Sequence, residues 1–139
     1  LVSGNIPMQF LPVILFVLGA AMAFSTGTSW GTFGIMLPIA AAMAANAAPE
    51  LLLPCLSAVM AGAVCGDHCS PVSDTTILSS TGAKCNHIDH VTTQLPYAAT
   101  VATATSIGYI VVGFTYSGLA GFAATAVSLI VIVFAVKKR

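Results

Sequence analysis

No Asp, Glu, Lys or Arg precedes Glu50 in this chain, and none occurs across residues 91–136. Those two charge-free tracts constrain the fold more than any motif. A water-soluble domain needs a solvated surface and carries about 25% charged residues. Here the charged fraction is 6%, against 58% hydrophobic. The chain therefore reads as an all-α, polytopic transmembrane protein, since helices satisfy their own backbone groups in lipid. Its few charges are Glu50, Asp67, Asp74, Lys84, Asp89 and the terminal Lys137, Lys138 and Arg139.

Apolar stretches cover residues 6–24, 35–48, 51–64, 95–114 and 119–136. Crossing ~30 Å of hydrocarbon takes about 20 helical residues. The last two stretches meet that length, and the short TYSG turn between them predicts an antiparallel pair. The first three are short for complete spans, and each adjoins a polar break containing Gly or Pro. Residues 6–48 then form either two tilted helices or, as we prefer, a re-entrant hairpin with its tip at residues 25–34. Non-helical backbone at that depth is tolerated where protein or a wet cavity surrounds it. The third stretch is expected to continue through a break at residues 66–74 into a short helix over residues 75–83, giving one discontinuous span. Residues 1–139 are read as a single domain.

Lys137, Lys138 and Arg139 follow the last helix, and Lys84 lies two crossings earlier, on the same side. The positive-inside rule makes that side, and the C-terminus, cytoplasmic. The chain begins without Met and without a basic region ahead of an apolar core, so no signal peptide is read and a fragment of a longer chain is expected. The four cysteines are expected to be free thiols, since buried cysteine is common in apolar chains.

The polar stretch GDHCSPVSDTTILSS, residues 66–80, interrupts this pattern. Pro71 cannot continue a helix without breaking it. Gly66 suits the left-handed position after a helix, and Ser73 or Asp74 suits an N-cap. Helix end, short link and helix start follow in order, which frees carbonyls at one end and N–H groups at the other. Transporters use such breaks to hold Na⁺ and anionic groups. Seven of the twelve residues 70–81 are Ser or Thr, and their hydroxyls are hard oxygen donors that suit hard cations. Asp67 and Asp74 add negative charge, at a cost of at least ~2.5–3.5 kcal/mol for an ionisable group within a membrane. A carboxylate placed there can hold either a cation or a proton. His68, beside Asp67, is a candidate proton relay. The competing reading is an extramembrane loop with solvated aspartates. The earlier break offers Ser25, Thr26, Thr28 and Ser29 among glycines that let backbone approach a ligand or a neighbouring helix.

Two other readings use the same residues. Cys65, Cys69, Cys85, His87 and His90 are zinc-ligand types, but the first two fall at membrane depth and the histidines in an expected solvated loop with Asp89. An enzyme is not expected: Asp67, His68 and Ser70 are neighbours on one link and do not converge as a triad must, and no GxSxG, HExxH or phosphate loop occurs.

The two blocks FSTGTSWGTFGIMLPIA, residues 24–40, and CGDHCSPVSDTTILSSTGAKCNHIDHVTTQLPYA, residues 65–98, together closely resemble the C-terminal half of NhaC-type sodium/proton antiporters. They span residues 24–98, about half of the chain, in the expected order. The resemblance implies a secondary transporter of the bacterial inner membrane exchanging Na⁺ for H⁺, with inverted repeats that each carry a hairpin and a broken helix. It implies an ion site built from Asp67, Ser70, Ser73, Asp74, Thr75 and Thr76 at the break, with Ser25, Thr26, Thr28 and Ser29 at the hairpin tip. Relatives of similar sequence exchange malate for lactate, which is the alternative substrate class. The expected partners are membrane lipid, sodium ions and protons, the missing N-terminal half of the same transporter, and a second copy in a homodimer. No resident cofactor, bound metal or nucleic acid is expected.

Overall fold

The computed structural model describes residues 7–137. Ile6, Lys138 and Arg139, used above for the first stretch and for orientation, lie outside the described residues. Six α-helices and no strand occur among the described residues: α1 (Leu11–Thr26), α2 (Ser29–Ala47), α3 (Leu52–Cys69), α4 (Asp74–Gly82), α5 (His87–Thr115) and α6 (Gly118–Lys137). One-turn 3-10 helices, Met8–Phe10 and Pro49–Leu51, lead into α1 and α3. The all-α polytopic reading holds.

Four segments are long and apolar enough to cross a bilayer: Met8–Thr26, Pro49–Cys69, His87–Thr115 and Gly118–Lys137. Two of the stretches expected to be short therefore reach spanning length. The reason is that helix continues through polar residues at their ends. Ser25 and Thr26 close α1, and Gly66, Asp67, His68 and Cys69 close α3. Residues 25–34 were expected to be one polar break, but the interruption narrows to residues 27–28.

Gly66 is likewise not a left-handed helix end. It lies buried inside α3, where a Cβ would overlap the carbonyl of Ala20 on α1. Gly62, one turn earlier, meets the Phe16 carbonyl in the same way, and Gly19 faces the Val59 carbonyl. Small residues let helix backbones touch, and in lipid that packing drives association in place of the hydrophobic effect. The contact pairs rise together along both helices, so α1 and α3 run parallel. At the far end, the break after α1 meets the break after α3.

α2 starts at that meeting point and ends beside the start of α3, joined by the Pro49–Leu51 turn. Its 19 residues rise ~28 Å and the 18 of α3 rise ~27 Å, so α2 returns antiparallel to α3. Residues 11–47 are thus a helical hairpin with its tip beside the α3 break. Leu15, Phe16, Ala40, Ala44, Leu51 and Val59 form the shared core.

α5 starts earlier than its apolar stretch. Asn86 caps it, its Oδ1 accepting from the Ile88 and Asp89 N–H groups at 2.9 and 3.4 Å. His87, Asp89 and His90 therefore occupy the first turn of a helix and not a solvated loop. α5 and α6 form the expected antiparallel pair: Gly108 faces Gly121 and Thr125, and Ser128 donates to the Ala104 carbonyl at 3.4 Å. Aromatic pairs tie α5 to the N-terminal part: Phe10–Phe114 edge-to-face and Phe16–Tyr109 tilted, with centroids each 5.5 Å apart.

Candidate functional site

The first break is two residues long. Gly27 adopts φ +69°, closing α1 in the left-handed region, and a Cβ there would lie 2.8 Å from the Val72 carbonyl. Turn and close approach both demand glycine at this one position. Thr28 is the N-cap of α2, its Oγ1 accepting from the Gly31 N–H at 3.4 Å. Ser29 is buried at the start of α2. Ser25 and Thr26 are exposed and donate to carbonyls of their own helix, Ala21 at 2.8 Å and Met22 at 3.0 Å. The structure thus turns two of the four tip hydroxyls back onto α1.

The second break, residues 70–73, gathers a polar cluster. Ser70 is fully buried and donates to the Phe24 carbonyl on α1 at 2.7 Å. Ser73, also fully buried, stands at the N-cap position of α4 but does not cap it. Its Oγ donates instead to the Asp67 carboxylate at 2.7 Å and lies 2.8 Å from Thr75 Oγ1. Thr76 reaches back to the His68 carbonyl at 3.2 Å. These bonds tie the start of α4 to the last turn of α3, so the helix is interrupted where expected and its second piece is held to the end of the first. Asp74 is exposed, and its Oδ1 accepts from the Thr75 N–H at 2.8 Å. His68 presents an exposed side chain, while its carbonyl is held. Asp67, Ser73 and Thr75 thus join in one carboxylate–hydroxyl network, with Ser70 linking the break to α1; Asp74 is not among its hydrogen-bonded members.

Two residues complete the cluster: His87, which the sequence reading placed in a solvated loop, and Gln94, which it did not consider. His87 Nε2 lies 2.8 Å from the Pro71 carbonyl, and its Nδ1 lies 3.1 Å from Ser80 Oγ. Gln94 donates from Nε2 to the His68 carbonyl at 2.9 Å, while its Oε1 is buried with no partner among the described residues. The available signal was Asn86 followed by Asp89 three residues later, an N-cap pattern that starts a helix at His87 and puts Gln94 two turns on, on the same face.

The zinc reading lacks a donor set. Among the described residues no three of His, Cys, Asp and Glu gather in a metal-holding group. All four cysteines are free thiols, and Cys69 bonds to the Cys65 carbonyl.

A polytopic helical membrane protein with two neighbouring helices broken at one level, and with carboxylate and hydroxyls at the breaks, has the architecture of a secondary transporter. The chain belongs to the Na⁺/H⁺ antiporter family, which it matches over residues 1–114. That membership indicates a transporter and not an enzyme. The chain is 99% identical over 139 residues to a longer uncharacterized protein of Haemophilus influenzae, covering all of this chain and 27% of that protein. It is 38% identical over 116 residues to the malate-2H⁺/Na⁺-lactate antiporter of Bacillus subtilis, covering 81% of this chain and 24% of the relative. An uncharacterized Na⁺/H⁺ antiporter of Haemophilus influenzae is 34% identical over 133 residues, 82% of this chain and 26% of the relative. The chain thus spans about a quarter of the length of these relatives. No solved structure matches.

Proposed function

We propose that this chain supplies one face of the cation path in an antiporter that exchanges Na⁺ for H⁺ across the bacterial inner membrane. The supporting observation is the half-buried Asp67 carboxylate, joined to Ser73 and Thr75 where the breaks after α1 and α3 meet. Carboxylate, hydroxyl and carbonyl oxygens are the donors that Na⁺ takes, and the same carboxylate accepts a proton when the cation leaves. Asp67 is the primary ligand, and Ser70, Ser73, Thr75 and Thr76 shape its surroundings. Asp74 is a second carboxylate at the approach. At the hairpin tip, Thr28 caps α2 and Ser29 is buried, whereas Ser25 and Thr26 are exposed and turn back onto α1. The rest of the transporter completes the shell. The reading calls for no resident cofactor: the ions are substrates. Lys84 and Lys137 lie at the same side under the positive-inside rule, which puts the C-terminus in the cytoplasm.

The test places Asp67→Asn and Asp74→Asn in the full-length protein, in inverted vesicles, and follows Na⁺-dependent ΔpH. Asp67→Asn should lower exchange at least tenfold, and Asp74→Asn less. Wild-type exchange in Asp67→Asn overturns the assignment. A second reading rests on the similarity to the malate-2H⁺/Na⁺-lactate antiporter: exchange of small hydroxycarboxylates coupled to the same ions. Labelled malate or lactate flux separates the two, since a pure cation exchanger moves neither.

A further inference from the structure

We propose that His87 and Gln94 are positioning residues, a clasp on one face of α5 that holds the broken end of α3 in the shape its ion site needs. This rests on the antiport reading above for its kinetic readout and on geometry for its existence. A helix that ends inside the protein leaves carbonyls without partners, and each buried one requires a donor. Here α5 supplies donors to two carbonyls of the break: that of His68 in the last turn of α3, which Thr76 also reaches, and that of Pro71 in the link. His87 binds the Pro71 carbonyl at 2.8 Å, and Gln94 binds the His68 carbonyl at 2.9 Å. The two carbonyls bracket Cys69 and Ser70, and Asp67 directly precedes the inner one. A carbonyl only accepts, so His87 Nε2 carries a proton. The other ring nitrogen lies 3.1 Å from Ser80 Oγ, which ties the same imidazole to α4. Residues 87 and 94 are seven apart, two helical turns, so a single rigid face of α5 makes both contacts. The helix start that sets their register is fixed by Asn86.

Neither side chain is a member of the Asp67–Ser73–Thr75 network, so neither is assigned as a ligand. Their effect is to fix where that network sits. Loss of His87 leaves the Pro71 carbonyl without its donor, and loss of Gln94 leaves the His68 carbonyl to Thr76 alone; either loosens the Asp67 site. Na⁺ affinity then falls while the chemistry of exchange, once the ion is bound, persists.

The test uses the full-length protein with His87→Ala, His87→Gln, Gln94→Leu and Gln94→Ala. Na⁺-dependent ΔpH in inverted vesicles gives KM for Na⁺ and the maximal rate separately. His87→Ala and Gln94→Leu should raise KM about tenfold, with the maximal rate changed less than twofold. His87→Gln keeps an N–H donor and should recover most of the loss. A second measurement does not depend on the transported substrate. In full-length protein whose only cysteine is Cys69, which is buried between the two clasped carbonyls, alkylation by a small permeant maleimide should be several-fold faster in His87→Ala and Gln94→Leu. Faster alkylation with no Na⁺-dependent ΔpH in the wild type removes the antiport reading and keeps the clasp. Unchanged KM and unchanged alkylation overturn the clasp, as does a His87→Gln variant no better than His87→Ala. Should Gln94→Leu fail to reach the membrane, Gln94→Ala and the His87 pair decide the matter by the same outcomes.

Discussion

The α1–α3 pair and the α5–α6 pair are both joined by glycines, yet only the first is built around helix ends. In α1–α3 the helices run parallel, Gly19, Gly62 and Gly66 bring backbone against backbone, and both helices stop at one level. In α5–α6 they run antiparallel through residues 91–136 without a charge, and Ser128 to Ala104 is a long 3.4 Å polar contact. Glycine packing is thus a general means of joining helices in lipid and by itself marks no site. The polar cluster arises where helices end, because freed carbonyls and N–H groups demand polar partners there. Ser70, Ser73, Thr76, His87 and Gln94 all gather at that one place.

The comparison breaks most visibly at Gly66. Gly66→Leu should abolish recovery of monodisperse full-length protein in detergent, because its Cβ would overlap the Ala20 backbone, which cannot rotate away. Normal recovery would show that the α1–α3 backbone contact is dispensable. Gly121→Ala should cost less, since the nearest obstacle is the Val112 side chain; a lowered Tm with intact protein is the expected result. Ser70→Ala removes the donor to the Phe24 carbonyl and should cost about 1–3 kcal/mol for a buried acceptor left unpaired. Loss of Tm there, with no equal loss in Ser128→Ala, would sharpen the contrast between the two pairs. The smallest effect is expected from Gly34→Ala. Nothing lies within 4 Å of a Cβ at that position, and Ala is the better helix former by ~1 kcal/mol. A falling Tm in the full-length protein would mark Gly34 as a contact for a part of the transporter outside this chain.

Much of the architecture was legible from the residues. Charge-free tracts placed α5 and α6, TYSG predicted their hairpin, and Pro71 located the second break. The errors share one cause. Reading Gly66 as a helix end, residues 25–34 as one open break and His87 as solvated loop each treated polar or small residues as helix terminators. Glycine, serine and histidine are weak terminators when neighbouring backbone packs against them or accepts their hydrogen bonds. Gly66 stays helical because Ala20 lies against it, and His87 is ordered because its Nε2–H donates to the Pro71 carbonyl. Those partners lie 46 and 16 positions away along the chain; only the helix start at His87 had a local signal, in Asn86 and Asp89.

Asp67 and Asp74 show the same division at the site itself. By sequence they are two carboxylates in one polar stretch, either able to hold a cation or a proton. Tertiary structure separates them, turning Asp67 into the cluster through the buried Ser73 and leaving Asp74 exposed. The sequence by itself determined that the chain is helical and membrane-spanning and that its polar groups interrupt a helix, because charge density and proline act locally. Only the tertiary structure decided which carboxylate meets the hydroxyls, since the parallel register of α1 and α3 sets which groups share one level.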